Sequence, residues 1–372
     1  MSVMMLSTLA LWATCHVCGP QQPAPAPSPV VSPAPARADG VVRVMQFNIW
    51  QEGTSVVGGF DKVVDVIVAS DADVIALSEV RNYKQVDLHT RLVAALAKKG
   101  RKFYGRYGGG DVGVISRWPI TKTDVVADGT SLDRGSIIAY HLRDAGGRSL
   151  VVCSAHLDYR DYAIYLPRGY DGNSFKMIDT DGDGEPDPVR DPKRLHAMDK
   201  ASARDEALGA FLDYVKREKL TKQRVILAGD FNECSHLDWT EATRDMFSHN
   251  GVVIGWQNSL LLRDAGFRDS WRQLYPNPVT HPGATWPSPA WQKESTSWAP
   301  KVDERDRIDF IYHNGGGLEP KQAWIVGSRE YFVRNERATP STADPFALTK
   351  IAWPSDHKAL MVDFTWAKKT VR

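Results

Sequence analysis

The sequence predicts an α/β domain in which two mixed β-sheets pack together and helices cover their outer faces. Two observations carry this expectation. Strand-like and helix-like periodicities alternate early in the chain and then give way to a series of β-rich runs. Six apolar runs also end in short polar signatures, spread from residue 47 to residue 357.

The elements follow in order. Residues 41–49 read as a strand, 60–70 as a helix with apolar residues at helical spacing, 74–77 as a buried strand and 90–99 as a second helix. Residues 112–116, 137–142 and 150–157 read as further strands. The stretch 195–219 predicts one long helix, because Leu195, Met198, Leu208, Phe211, Leu212 and Val215 share a face. Strands at 225–228, 308–312 and 360–364 complete the set, with no internal repeat and no second domain.

The chain has 372 residues, and a body of about 330 can bury a sizeable core. Its 46 basic and 45 acidic residues leave a net charge of +1, so no global field draws it to polyanions; a local basic rim could still do so. Residues 4–14 form an apolar run too short to span a bilayer, followed by Cys15, Cys18 and Pro/Ala-rich sequence. We read residues 1–18 as a signal peptide or lipoprotein leader, 19–40 as a linker and 41–367 as the folded domain. The expectation is an exported monomer: secreted, periplasmic, or held at the cell surface by a lipidated N-terminal cysteine. In the body, Cys153 and Cys234 lie three residues before His156 and four after Asp230. If those two strand ends share an edge, the cysteines are offset by about 23 Å along the strands. A disulfide needs Cα atoms within about 7 Å, so two free thiols are expected.

The six signatures are Phe47-Asn48-Ile49, Leu77-Ser78-Glu79, Ser154-Ala155-His156-Leu157, Gly229-Asp230-Phe231-Asn232, Arg307-Ile308-Asp309-Phe310 and Ser355-Asp356-His357. Each offers a group that phosphate-ester hydrolysis uses: a carboxylate for a hard metal, an amide donor or an imidazole. This series resembles the endonuclease/exonuclease/phosphatase family of metal-dependent phosphoesterases, over residues 41 to 366. The segments Gly113-Val114-Ile115-Ser116-Arg117, Ala265-Gly266-Phe267-Arg268-Asp269-Ser270 and Gly283-Ala284-Thr285-Trp286 resemble that family's linking segments. The resemblance implies a four-layer α/β sandwich and a Mg²⁺ (or Mn²⁺) cofactor.

On that resemblance Asn48, Glu79 and Asp356 make up the metal site, with Glu79 and Asp356 as carboxylate ligands and the Asn48 amide holding Glu79 or a phosphate oxygen. A carboxylate closing an apolar strand is costly unless paired or metal-bound, which independently favours that role for Glu79. Asp230 would position or deprotonate the attacking water. Asn232, two residues on and therefore on the same side of an extended segment, would donate a hydrogen bond. Asp309 would fix the tautomer of His357, and His156 would donate to a non-bridging oxygen or protonate the leaving group. His156 places the chain with the deoxyribonuclease-, sphingomyelinase- and 5-phosphatase-like members.

The residues after His156 depart from the family pattern. Tyr159, Arg160 and Arg168 read as a substrate-binding loop, with guanidinium groups for an anion and aromatic faces for a base or sugar. Asp179, Asp181, Asp183, Glu185 and Asp187 then alternate like a short calcium loop, with Gly184 at the sixth position and Arg190 where an EF-hand has its twelfth-position Glu. The acidic insertion spans about residues 158–194. Nine of the twelve tryptophans lie between Trp239 and Trp366; most should pack the core, with Trp286, Trp291 and Trp298 as candidates for a stacking cleft.

The expected function is an exported Mg²⁺-dependent phosphodiesterase acting by in-line attack of water on phosphorus. Its substrate would be a small molecule, a phospholipid or a nucleic acid. A secreted deoxyribonuclease-like endonuclease is the alternative. A non-catalytic calcium-dependent binding module fits less well, because such a module should have lost at least one of these groups.

Overall fold

The computed structural model describes residues 34–36, 40–129 and 135–366. The leader, most of the linker, and residues 130–134 and 367 of the expected domain lie outside these. In chain order the elements are β1 (Val41–Asn48), α1 (Gly59–Ser70), β2 (Val74–Ser78), α2 (Leu88–Lys98), β3 (Tyr104–Arg106), β4 (Val112–Ser116), β5 (Ile120–Asp128), β6 (Ser136–Arg143) and β7 (Ser149–His156). Then come α3 (Pro192–Asp199), α4 (Arg204–Arg217), β8 (Val225–Asp230), α5 (Gln257–Asp264), β9 (Arg268–Asp269), α6 (Ser270–Leu274) and β10 (Asp309–His313). The chain closes with β11 (Leu318–Val326), a small hairpin of β12 (Tyr331–Val333) and β13 (Glu336–Ala338), β14 (Phe346–Ala347) and β15 (Ala359–Trp366).

Two sheets face each other, in the orders β14-β11-β15-β1-β2-β4-β3 and β5-β6-β7-β8-β10-β9. Both mix parallel and antiparallel pairs: β1 runs parallel to β2 but antiparallel to β15, and β8 runs parallel to β7 but antiparallel to β10. Val63, Ile67, Leu92 and Leu96 of α1 and α2 cover the outer face of the first sheet. Leu208, Phe211 and Leu262 of α4 and α5 cover the second. This is the four-layer α/β sandwich.

The two-residue period of a strand explains where the polar groups end up. On β1, Val42 and Val44 face the second sheet, and so do Gln46 and Asn48 further along. On β7 the same face carries Leu150 and Val152, then Ser154 and His156; on β8 it carries Ile226 and Ala228, then Asp230. The inter-sheet core is therefore apolar in its middle and polar at one edge. Register aligns that edge: Asn48 is opposite Ser78, His156 opposite Asp230, and Asp230 opposite Asp309.

The predicted helix over 195–219 is two helices, α3 and α4. No large apolar residue continues the stripe between Met198 and Leu208, and the Ser202 hydroxyl bonds the Asp199 carbonyl instead of leaving it to the ladder. The side chain of Arg204, released from a continuous helix, reaches the carbonyls of Asp158, Arg160 and Asp161. Cys153 and Cys234 are both buried and unpaired.

Candidate active site

The polar edge opens into a cleft of about 850 Å³ lined by Glu79, His156, Asp230, Asn232, Asp356 and His357, with aromatic and polar neighbours. Asn48 joins the two sheets: its Nδ2 donates to Glu79 Oε1 and to Asp230 Oδ2, each at 3.0 Å. Glu79 leaves β2 with φ +66°, a left-handed backbone that costs a non-glycine residue energy. That turn aims its carboxylate into the cleft, where Oε2 accepts the Gln51 amide at 2.8 Å.

Two imidazoles converge on one carboxylate. His357 Nδ1 bonds Asp309 Oδ2 at 2.9 Å, and His156 Nδ1 bonds Asp111 Oδ2 at 2.6 Å. Both Nε2 atoms then stand 3.7 Å from Asp230 Oδ2. Burial alone would lower both imidazoles. For His156 it is outweighed by Asp111, then Asp230 and Glu79, which hold it up at about 9. For His357, Asp309 and Asp230 outweigh burial and hold it well above the ordinary range. Burial pushes Asp230 up to about 6, against the pull of His357.

Asp230 ends β8, and Asn232 beyond it takes a left-handed turn at φ +48°. The extended spacing expected of this pair is therefore absent. The Asn232 amide donates to Asp230 Oδ1 at 2.9 Å, and its Nδ2 donates to the Leu157 carbonyl at 2.9 Å. Asn232 fixes Asp230 and ties the ends of β7 and β8 together while still lining the cleft.

The residues fit a hard divalent cation. Asp356 Oδ1 is buried with no hydrogen-bond partner. Burial pushes this carboxyl up to about 8; His357 opposes the rise, and Glu79 and Asp230 add to it. A crowded carboxylate pair with an unpartnered oxygen is a natural place for Mg²⁺ or Mn²⁺, so Glu79 and Asp356 would hold it. Asp230, Asp309 and His357 also bring ligand atoms within 4.8 Å of one another, but there His357 and Asp309 are already bonded to each other.

Sequence reasoning missed several groups. Asp111, which orients His156, closes the glycine run just before β4; the signal was available, since each buried histidine of such a site needs a carboxylate partner. Gln46 Nε2 donates to Asp309 Oδ1 at 2.8 Å, one strand period before Asn48. Arg81 approaches Asp111 at 3.2 Å and lines the cleft.

The insertion is redistributed. Tyr159 lines the cleft, as do Tyr162, Tyr165 and Phe175. Arg160 folds back onto Asp158 at 2.9 and 3.1 Å, away from the cleft lining. Arg168 is not a substrate-binding residue. It is fully buried and grips Asp306 through two bonds of 2.5 and 3.0 Å, because a guanidinium inside the core must be paired. Trp286 and Trp298 line the cleft, whereas Trp291 lies outside that lining, beneath Lys62. Of the acidic run, Asp179, Asp181 and Asp187 come within 4.8 Å of one another; Asp183 and Glu185 stand outside this group. Asp179 already accepts the amides of Gly182 and Gly184, and Asp187 those of Thr180, so the turn holds itself by its own backbone.

Comparison with known proteins decides the family. Residues 45–357 match the Endonuclease/Exonuclease/phosphatase family. The chain belongs to this family. Like the family's members, it is a metal-dependent phosphoric ester hydrolase. An uncharacterized protein of Caenorhabditis elegans is 29% identical over 328 residues, which cover 87% of this chain and 91% of that protein. Among solved structures, D. rerio TDP2 with a single-strand DNA product is 16% identical, covering 88% of this chain and 99% of that one at TM-score 0.49. A family protein from Beutenbergia cavernae is 20% identical (89% and 73% covered, TM-score 0.49), and an AP endonuclease from Archaeoglobus fulgidus 13% (86% and 98%, TM-score 0.47).

Proposed function

We propose that the chain is an exported, Mg²⁺-dependent phosphodiesterase. The observation that carries the reading is the convergence of two carboxylate-oriented imidazoles on Asp230, beside the Glu79–Asp356 pair. When bound at Glu79 and Asp356, the divalent ion supplies positive charge for a phosphate oxygen and the leaving group. Asp230 accepts a proton from water as the water oxygen attacks phosphorus in line with the departing ester oxygen. A carboxyl near 6 is ionised at neutral pH and still basic enough for this work. His357, held by Asp309, and His156, held by Asp111, present Nε2–H groups beside Asp230 Oδ2, where they stabilise the added charge on the phosphoryl oxygens. One of these protons goes to the departing alkoxide, and we assign that transfer to His156. Asn48 and Asn232 keep Asp230 in position.

The test compares bis(p-nitrophenyl) phosphate with p-nitrophenyl phosphate, each with Mg²⁺ and with excess chelator. The expected result is metal-dependent turnover that favours the diester. Asp230→Asn should lower kcat by roughly 10²- to 10⁴-fold with little change in melting. Full activity in chelator, or near-normal turnover of that variant, would overturn the assignment.

A further inference from the structure

Part of the cleft lining is a continuous run of aromatic rings. It starts at the active site: Trp286 lies 4.9 Å from the His357 ring and 5.5 Å from Trp298. Trp298 continues to Phe175 at 4.8 Å, and Phe175 to Tyr159 at 6.4 Å and a 21° tilt. Trp298 is 45% exposed although it is one of the largest apolar side chains in the protein. The lining also takes in Arg81, Asn82 and Lys84, polar and partly cationic, with the Tyr83 ring among them. Among the described residues the lining holds a single aliphatic side chain, Ile308.

This wall is held rigidly. The buried Glu304 carboxylate accepts the Tyr165 hydroxyl, the Ser297 hydroxyl and the amides of Trp298 and Ala299, which staples the insertion to the tryptophan loop. The buried Arg168–Asp306 pair is a second staple, three residues before Asp309. Phe175 is kept at φ +54°, a conformation an aromatic residue rarely adopts, and its ring meets those of Tyr159, Tyr162, Tyr165 and Trp298. Strain spent to place one ring among four others points to a ligand for that surface. A volume of about 850 Å³ also exceeds what a phosphate alone needs.

We propose that the insertion is a recognition arm whose aromatic wall stacks a flat ring, a nucleobase or a simple aryl group, carried by one ester arm of the substrate. The proposal rests on the phosphoesterase reading for the position of the phosphate. A lining that presents ring after ring and, among the described residues, one aliphatic side chain suits a planar π-system better than an alkyl chain, and base–aromatic stacking is tolerant of which ring is presented.

The test measures binding to the Mg²⁺-loaded protein by calorimetry with benzylphosphonate, thymidine 5′-monophosphate and hexylphosphonate. The two aromatic ligands should bind about 5- to 100-fold more tightly than hexylphosphonate. Trp298→Ala, at an exposed position, should remove most of that gap, and Trp298→Phe should restore most of it. Tighter binding of the nucleotide identifies a nucleobase arm, and tighter or equal binding of benzylphosphonate a simple aryl arm. Hexylphosphonate binding as tightly as the aromatic ligands would overturn the proposal, and so would a gap that Trp298→Ala leaves intact. A wild-type preference for the aromatic ligands that Trp298→Ala abolishes, without turnover of any diester, would instead sink the phosphodiesterase reading and leave the recognition arm standing.

Discussion

Asp111→Asn tests whether His156 works through its carboxylate partner. The substitution keeps the shape and an acceptor oxygen but removes the charge that lies 2.6 Å from Nδ1. Among the groups that raise His156 against burial, Asp111 comes first, ahead of Asp230 and Glu79. The rise from about 6.5 to about 9 corresponds to about 3 kcal/mol in favour of the imidazolium. With Asp111 neutral, burial gains the upper hand and the imidazole loses its proton at least about one pH unit earlier. If His156 must be protonated to assist the departing oxygen, kcat in the wild type falls as pH rises through about 9. In Asp111→Asn that limb moves to lower pH and the plateau drops by about 10²-fold. The assay is the kcat–pH profile between about pH 5 and 10 on a dialkyl phosphodiester, whose alkoxide leaving group needs the proton, at saturating Mg²⁺ with the released alcohol followed by chromatography, and with melting as the control for folding. A variant whose alkaline limb stays in place and whose plateau lies within twofold of the wild type would refute the argument.

Two further outcomes follow from the buried charges. Asp356 holds its proton up to about 8, so Mg²⁺ must displace it: affinity should strengthen by up to about tenfold per pH unit below 8, with proton release visible in calorimetry across buffers of different ionisation enthalpy. In chelator the same raised carboxyl makes stability fall as pH rises toward about 8, because the folded state retains a proton that the unfolded carboxyl loses near 4; Mg²⁺ should flatten that slope. Arg168→Met leaves Asp306 buried without its partner, which typically costs about 3–5 kcal/mol. For a domain of this size that lowers Tm by about 4–7 °C. KM should stay within about threefold, and a large rise in KM at unchanged Tm would return Arg168 to the substrate.

What the sequence made legible was the part written in strand periodicity. A run such as Ile226, Ala228, Asp230 states that one face is apolar and then polar at its end, and four such runs in register leave little freedom about where Asn48, His156, Asp230 and Asp309 meet. What it concealed was anything set by packing between segments far apart in the chain. Asp111 lies 45 residues from His156, and Arg168 lies 138 residues from Asp306. An arginine beside tyrosines looks the same on paper whether its partner is a phosphate or a buried aspartate. The helix break before Arg204 was hidden for the same reason, since the carbonyls that draw that guanidinium sit at the base of the insertion. These hidden contacts share a direction. Arg204, Arg168 and Glu304 each fasten the insertion to a segment that leads into the active site: to Glu233 after Asn232, to Asp306 before Asp309, and to the loop carrying Trp298. A surface insertion needs no buried ion pairs to persist. One fastened to the catalytic strand ends by two of them, and by a buried carboxylate that accepts four hydrogen bonds, is built so that the rings it carries keep a fixed distance from Asp230 and His357, and that is the geometry in which binding of an ester arm can be turned into alignment of the phosphorus.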